Sequence, residues 1–188
     1  MMLGAALALV PLWAAAEVGD DGLHKAPWMQ DTFKDLREDM EEAAADGRRL
    51  LLMVEQRGCI YCAKMHEEVF PREEIARALS EDYFVVQVNL HGDIEVVDLD
   101  GQALSEKDAV AKWGVLFTPT LMFMPLEAEA GASAQEAAVA VMPGAFGPGT
   151  TLDMLTWVSE ERYLDQSEED FQRYHARMIR ERDNGRTD

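Results

Sequence analysis

A chain of 188 residues, 48% of them hydrophobic, is long enough for one domain with a substantial core and excludes wholesale disorder. Its 36 acidic against 17 basic residues give a formal net charge of −19, which sets it against nucleic acid and anionic membranes as partners. The plain meaning of that charge is solubility; the sharper one is steering towards a basic partner.

Residues 1–16 are apolar and uncharged and end in Ala14, Ala15 and Ala16, a pattern that predicts an export signal cut after Ala16. No Lys or Arg precedes the apolar run, so a retained anchor is the alternative. A polar lead-in with Gly19 and Gly22 follows. Residues 28–45 are predicted as an amphipathic helix, with Phe33, Leu36, Met40 and Ala44 at helical spacing, Asp31 as N-cap and Gly47 as its stop. Together, residues 17–48 make an N-terminal lead-in and helix.

The stretch with chemistry in it is RLLLMVEQRGCIYCAKMHEEVF, residues 49–70. The apolar run 50–54 predicts a central strand over residues 50–55, covered on both faces. An Arg-Gly break and a segment of helical spacing follow, in which Ile60, Ala63 and Val69 are expected on one side. Cys59 and Cys62 therefore fall at a helix N-terminus, where unpaired N–H groups and the positive end of the dipole stabilise a thiolate. Residues i and i+3 of a helix stand roughly 5–6 Å apart, inside the Cα separation that a disulfide tolerates. A structural staple is the rival reading, but so small a loop removes little unfolded-state entropy. The chemistry implied is reversible thiol–disulfide exchange.

Downstream, Pro71 opens a predicted helix with Ile75 and Leu79 facing in, and residues 83–90 form a second buried strand. Asp100 and Gly101 close a small hairpin. A short helix at 107–113 leads to Pro119 and a strand at 120–124. Residues 126–136 are expected as an exposed loop, 137–142 as an antiparallel strand, and 151–160 as a helix. The charged residues 161–188 are expected to form either a docked helix or a frayed tail, with Phe171, Tyr174 and Met178 at helical spacing.

Three features in this order resemble the thioredoxin superfamily over residues 50–158: the strand running into Gly58-Cys59-Ile60-Tyr61-Cys62, the Thr118-Pro119-Thr120 segment opening a strand, and a turn at Gly144 before a helix. The resemblance implies a thioredoxin-like α/β fold, a central mixed sheet with helices on both faces, over residues 49–160. It implies Cys59 as the attacking thiolate, Cys62 as the resolving cysteine, and a cis Pro119 lying against the dithiol. Gly58, Ile60, Tyr61, Thr118 and Pro119 would then contact substrate. The Ile60-Tyr61 dipeptide is most similar to the Sox-associated periplasmic thioredoxins of bacterial sulfur oxidation, and more distantly to disulfide isomerases. That likeness implies a periplasmic monomer that reduces a disulfide-containing partner protein, with a membrane thiol transporter as electron donor and no cofactor. The buried acid of thioredoxins falls here on Met53. Glu55, on the same side of the strand, is the candidate proton relay, read otherwise as a solvated strand-end carboxylate.

Two rival readings stand beside the reductase. One is a disulfide isomerase or oxidase. The other is a non-enzymatic metal-binding or chaperone-like module, in which Cys59, Cys62 and His66 share a helical face. A structural zinc site wants four ligands, and His24, His91 and His175 are scattered in the sequence, so no metal is expected and His66 is read as a surface or half-buried residue.

Overall fold

The computed structural model describes residues 16–167 and 169–185. The segment read as an export signal lies, but for Ala16, outside the described residues. Among them, no helix is long and apolar enough to cross a membrane.

The described residues begin with a two-stranded antiparallel hairpin, β1 (Glu17–Val18) and β2 (His24–Lys25), followed by β3 (Met29–Gln30) and α1 (Leu36–Ala45). Then come β4 (Arg49–Glu55), α2 (Ile60–Lys64), which continues as a π-helical turn over Met65–Val69, α3 (Glu73–Glu81) and β5 (Tyr83–Asn89). A second hairpin of β6 (Glu95–Val97) and β7 (Ala103–Ser105) precedes α4 (Glu106–Lys112) and β8 (Thr120–Phe123). The chain closes with α5 (Ala134–Ala137), β9 (Ala140–Pro143), α6 (Pro148–Ser159), a 3₁₀ turn at Arg162–Leu164 and α7 (Phe171–Asn184).

Five strands form the central sheet in the order β3-β5-β4-β8-β9. β4 runs parallel to β5 and antiparallel to β8, so the sheet is mixed, and it is flanked by helices on both faces. Every residue of β4 is buried. Its alternation divides the core: Leu51 and Met53 join a cluster with Met65, Val69, Ile75 and Trp157, whereas Leu50, Leu52 and Val54 join one with Leu36, Val110 and Trp113. Helices α3 and α6 thus cover one face, and α1 and α4 the other. The register that puts Met53 on the first face carries Glu55 to the same side, and that decides the polar chemistry below.

The N-terminal third departs from its sequence reading. Residues 28–45 are not one helix. Trp28 is buried, Met29 and Gln30 pair with Val85 and Val86 at the sheet edge, and Phe33 is 98% exposed. The helix starts only at Leu36, because Asp35, not Asp31, accepts from the N–H groups of Arg37 and Glu38. Lys34 just before it has φ +58°, which no helix interior accommodates. The stretch 126–136 is likewise not all exposed loop: Ser133 and Ala134 are buried where a capping box starts α5.

At the other end, α7 is a docked helix. Tyr174 is buried, Phe171 meets Trp157 edge-on, and Arg182 makes a two-pronged bond to the buried Asp153 at 2.6 and 2.8 Å.

Candidate active site

β4 ends at Glu55 and the chain turns through Gln56–Gly58 into α2. Gly58 adopts φ +72°, a conformation that side-chain-bearing residues rarely take, and so aims Cys59 at the start of the helix. Cys59 is the N-cap itself: its Sγ accepts from the Cys62 N–H at 3.0 Å. Cys59 and Cys62 form a disulfide with Cα atoms 5.2 Å apart. Cys62 is wholly enclosed, and Cys59 keeps 7% of its surface in solvent. Of the two cysteines, only Cys59 reaches solvent.

Facing that sulfur is the segment before β8. The Thr118–Pro119 peptide is cis. Thr118 donates its hydroxyl to Cys59 Sγ at 3.3 Å, and its carbonyl oxygen lies 3.5 Å from the same atom. The Pro119 carbonyl accepts from the Gly144 N–H at 2.7 Å, which ties the turn after β9 to this wall. Between the walls runs an open groove of about 640 Å³, lined by Gly58, Cys59, Ile60, Tyr61, Thr118 and Gly144 among others. The sequence-predicted contacts Gly58, Ile60, Tyr61 and Thr118 meet here. Ile60 does not lie inward with Val69 as its spacing suggests: it is 74% exposed, because the buried face of the helix is formed by Cys62, Met65, His66 and Val69.

Leu116 and Phe117, 79% and 64% exposed, also line the groove, though the sequence reading assigns them no role. The signal was present, since two consecutive large apolar residues beside a Thr-Pro are costly to leave in water unless something covers them.

Below the sulfurs the structure overturns two readings. Glu55 is not a solvated strand-end carboxylate but fully buried, since β4 is covered to its last residue. Its Oε1 lies 3.0 Å from His66 Nε2, and its Oε2 accepts from Gln87 Nε2 at 2.6 Å. His66 is buried too, not a surface residue: its ring stacks on that of His24 at 4.7 Å, lies parallel to Trp28 at 6.1 Å and meets Phe70 edge-on. His24 is thus brought from the first hairpin to His66, whereas His175 pairs with Asp153 at the far end of the molecule. Burial first, and then the neighbouring His66, hold His24 below the usual imidazole range. Gln87 and His24 gave no sequence signal, because both act through partners distant in the chain.

Among curated proteins none matches this chain. Among solved structures, a thioredoxin-fold protein from Helicobacter pylori is 19% identical with a TM-score of 0.55, over 74% of this chain and 86% of that one. A thioredoxin from Thermus thermophilus is 20% identical with a TM-score of 0.55, over 72% and 94%. At such identities the likeness is one of fold. Residues 36–143 match the family model of the thioredoxin-like domain, and with more than half its length so matched the chain belongs to that family.

Proposed function

We propose that the protein is an exported thiol–disulfide oxidoreductase that reduces a disulfide in a partner protein. The observation carrying this reading is the Cys59–Cys62 disulfide capping α2, with Cys59 and not Cys62 lining an apolar groove. In the reduced chain, the Cys59 thiolate attacks one sulfur of the partner's disulfide, and the other partner sulfur leaves as a thiolate. The Cys62 thiolate then attacks Cys59 Sγ, displaces the second partner thiolate and closes the pair seen here. Two electrons have passed to the partner, and a dithiol donor must return them. Outside the cytoplasm a membrane thiol transporter is the donor that fits.

The Cys62 N–H that meets Cys59 Sγ at 3.0 Å and the Thr118 hydroxyl at 3.3 Å both favour negative charge on the attacking sulfur. Ile60, Tyr61, Leu116 and Phe117 bind the apolar flanks of the partner's disulfide, and Thr118 and Pro119 support its backbone. Glu55 is assigned proton transfer for Cys62. The Ile60-Tyr61 resemblance favours a periplasmic sulfur-carrier protein as substrate. Its test is a Cys62→Ser chain incubated with the periplasmic fraction: a mixed disulfide through Cys59 is expected, released by added thiol. Failure to trap any partner, together with undiminished activity of Cys59→Ser, would contradict the assignment.

A further inference from the structure

We infer that His24, Glu55 and His66 form a binding site for one divalent transition ion of the zinc type, separate from the dithiol. One ligand-capable atom from each lies within 4.8 Å of the others. The three come from three segments, β2, the end of β4 and the π-helical turn after α2, so the constellation is a product of the fold. Two His and one Glu are a borderline-soft donor set that suits zinc, with one coordination position left for water.

Four observations separate this cluster from an ordinary core histidine paired to a carboxylate. First, Glu55 is fully buried, yet no Lys or Arg pairs with it among the described residues; its partners are His66 and Gln87. A buried carboxylate without a permanent cation is costly, and a divalent ion supplies the missing charge. Second, His66 Nδ1 is buried with no hydrogen-bond partner, so nothing fixes the ring's tautomer and Nε2 is free to turn its lone pair to an ion. Third, His66 Nε2 and Glu55 Oε1 are already 3.0 Å apart. Two ligands on one tetrahedral zinc stand about 3.3 Å apart, given bonds of about 2.0–2.2 Å. An ion replacing the proton shared by these two therefore requires little movement of either, and the proton-relay role of Glu55 belongs to the ion-free chain. Fourth, the surroundings hold the ligands in place. Gln87 Nε2 bonds both Glu55 Oε2 and the His24 carbonyl, at 2.6 and 2.8 Å, while Lys25 holds Gln87 Oε1 at 2.7 Å. Such outer contacts orient first ligands in known metal sites. The π-helical turn that carries His66, a rare backbone form often found at functional positions, spans Met65–Val69.

His24 completes the set from the half-buried side, and its hairpin is fitted to the dithiol loop. Gly22 in the turn has φ +77°, and a Cβ there would come within 2.7 Å of the Arg57 side chain. The ion would thus clasp the N-terminal hairpin to the strand and helix that carry the cysteines.

The test is calorimetric titration of the full chain with Zn²⁺, after chelator dialysis and with the Cys59–Cys62 disulfide kept oxidised so that thiols contribute nothing. Co²⁺ serves as a second, spectroscopic probe. One equivalent should bind, with tetrahedral cobalt absorption and a raised unfolding midpoint. His24→Ala, at a half-buried position on a short hairpin outside the central sheet, should weaken Zn²⁺ binding at least tenfold. Gln87→Ala should weaken it about 10- to 100-fold. His91→Ala should leave it unchanged. Absence of binding by the oxidised chain, or binding undiminished in both His24→Ala and Glu55→Gln, would overturn the proposal. Neither result bears on the reductase reading, which is tested through the cysteines.

Discussion

At the N-terminal end of α2, Cys59, Ile60 and Tyr61 face an open groove with Leu116 and Phe117, and large apolar side chains stand in solvent. One turn further along, His66 is shut behind Trp28, His24 and Phe70 and bonded to a carboxylate with no exposure at all. In the first region apolar groups that ordinarily seek burial are left uncovered; in the second, polar groups that ordinarily seek water are enclosed. Both arrangements cost folding free energy, and both sit on one short helix. On the proposed function, the outer part of the helix meets partners and the inner part is fixed machinery. The outer region should tolerate substitution in stability but not in activity, whereas substitution in the inner region should cost stability first.

The sharpest way to break that contrast is at the sulfurs. Cys59→Ser should abolish disulfide reduction, bringing turnover of a protein disulfide to background. Activity retained in this variant would remove the chemistry from the dithiol. Next in size, Glu55→Ala should destabilise the fold by about 3–5 kcal/mol, because it leaves His66 and Gln87 without their shared acceptor in the core. Chemical denaturation measures this, and a loss below about 1 kcal/mol would show that the inner region is wetter than described. Smaller again, Phe117→Ala and Leu116→Ala should each lower kcat/KM towards a protein disulfide by about tenfold, the scale of an interface anchor. Stability should stay within about 0.5 kcal/mol, and reduction of a small synthetic disulfide should be unaffected.

The smallest expected effect lies away from the helix, at Asp39. Burial raises its carboxyl from 3.8 to about 6, opposed by the Thr32 hydroxyl and helped by Glu42, Asp35 and Glu38. The folded chain then holds this proton more tightly than the unfolded one. Stability contributed here is therefore lost as pH rises from about 4 through 6, and the cost is fully present at pH 7. Asp39→Asn should raise the unfolding midpoint at pH 7 by about two to four degrees, with the gain vanishing towards pH 4. An equal gain at both pH values would contradict the ionic origin.

The sheet and the dithiol were legible in the sequence for local reasons. β4 and β5 are continuous apolar runs, and Gly58-Cys59-Ile60-Tyr61-Cys62 and Thr118-Pro119 carry their geometry in adjacent residues. The lead-in was not legible, because β3 is two residues long and is held by pairing with Val85 and Val86. Helical spacing from Phe33 onward then suggested a start too early. The burial of Glu55 was not legible because a strand end is usually wet, whereas here the cover continues to the last residue. Its alternation with Met53 pointed to the correct face, but only the folded chain shows that Gln87 and His66 wait there.

The central claim is that the outer end of α2 carries a reducing dithiol, and its most direct test is the equilibrium reduction potential of the Cys59–Cys62 pair against thiol buffers of known poise. A value near or below about −230 mV is expected for a reductase fed by a membrane donor. A value of about −180 to −120 mV would contradict that role and mark the protein as an isomerase or oxidase.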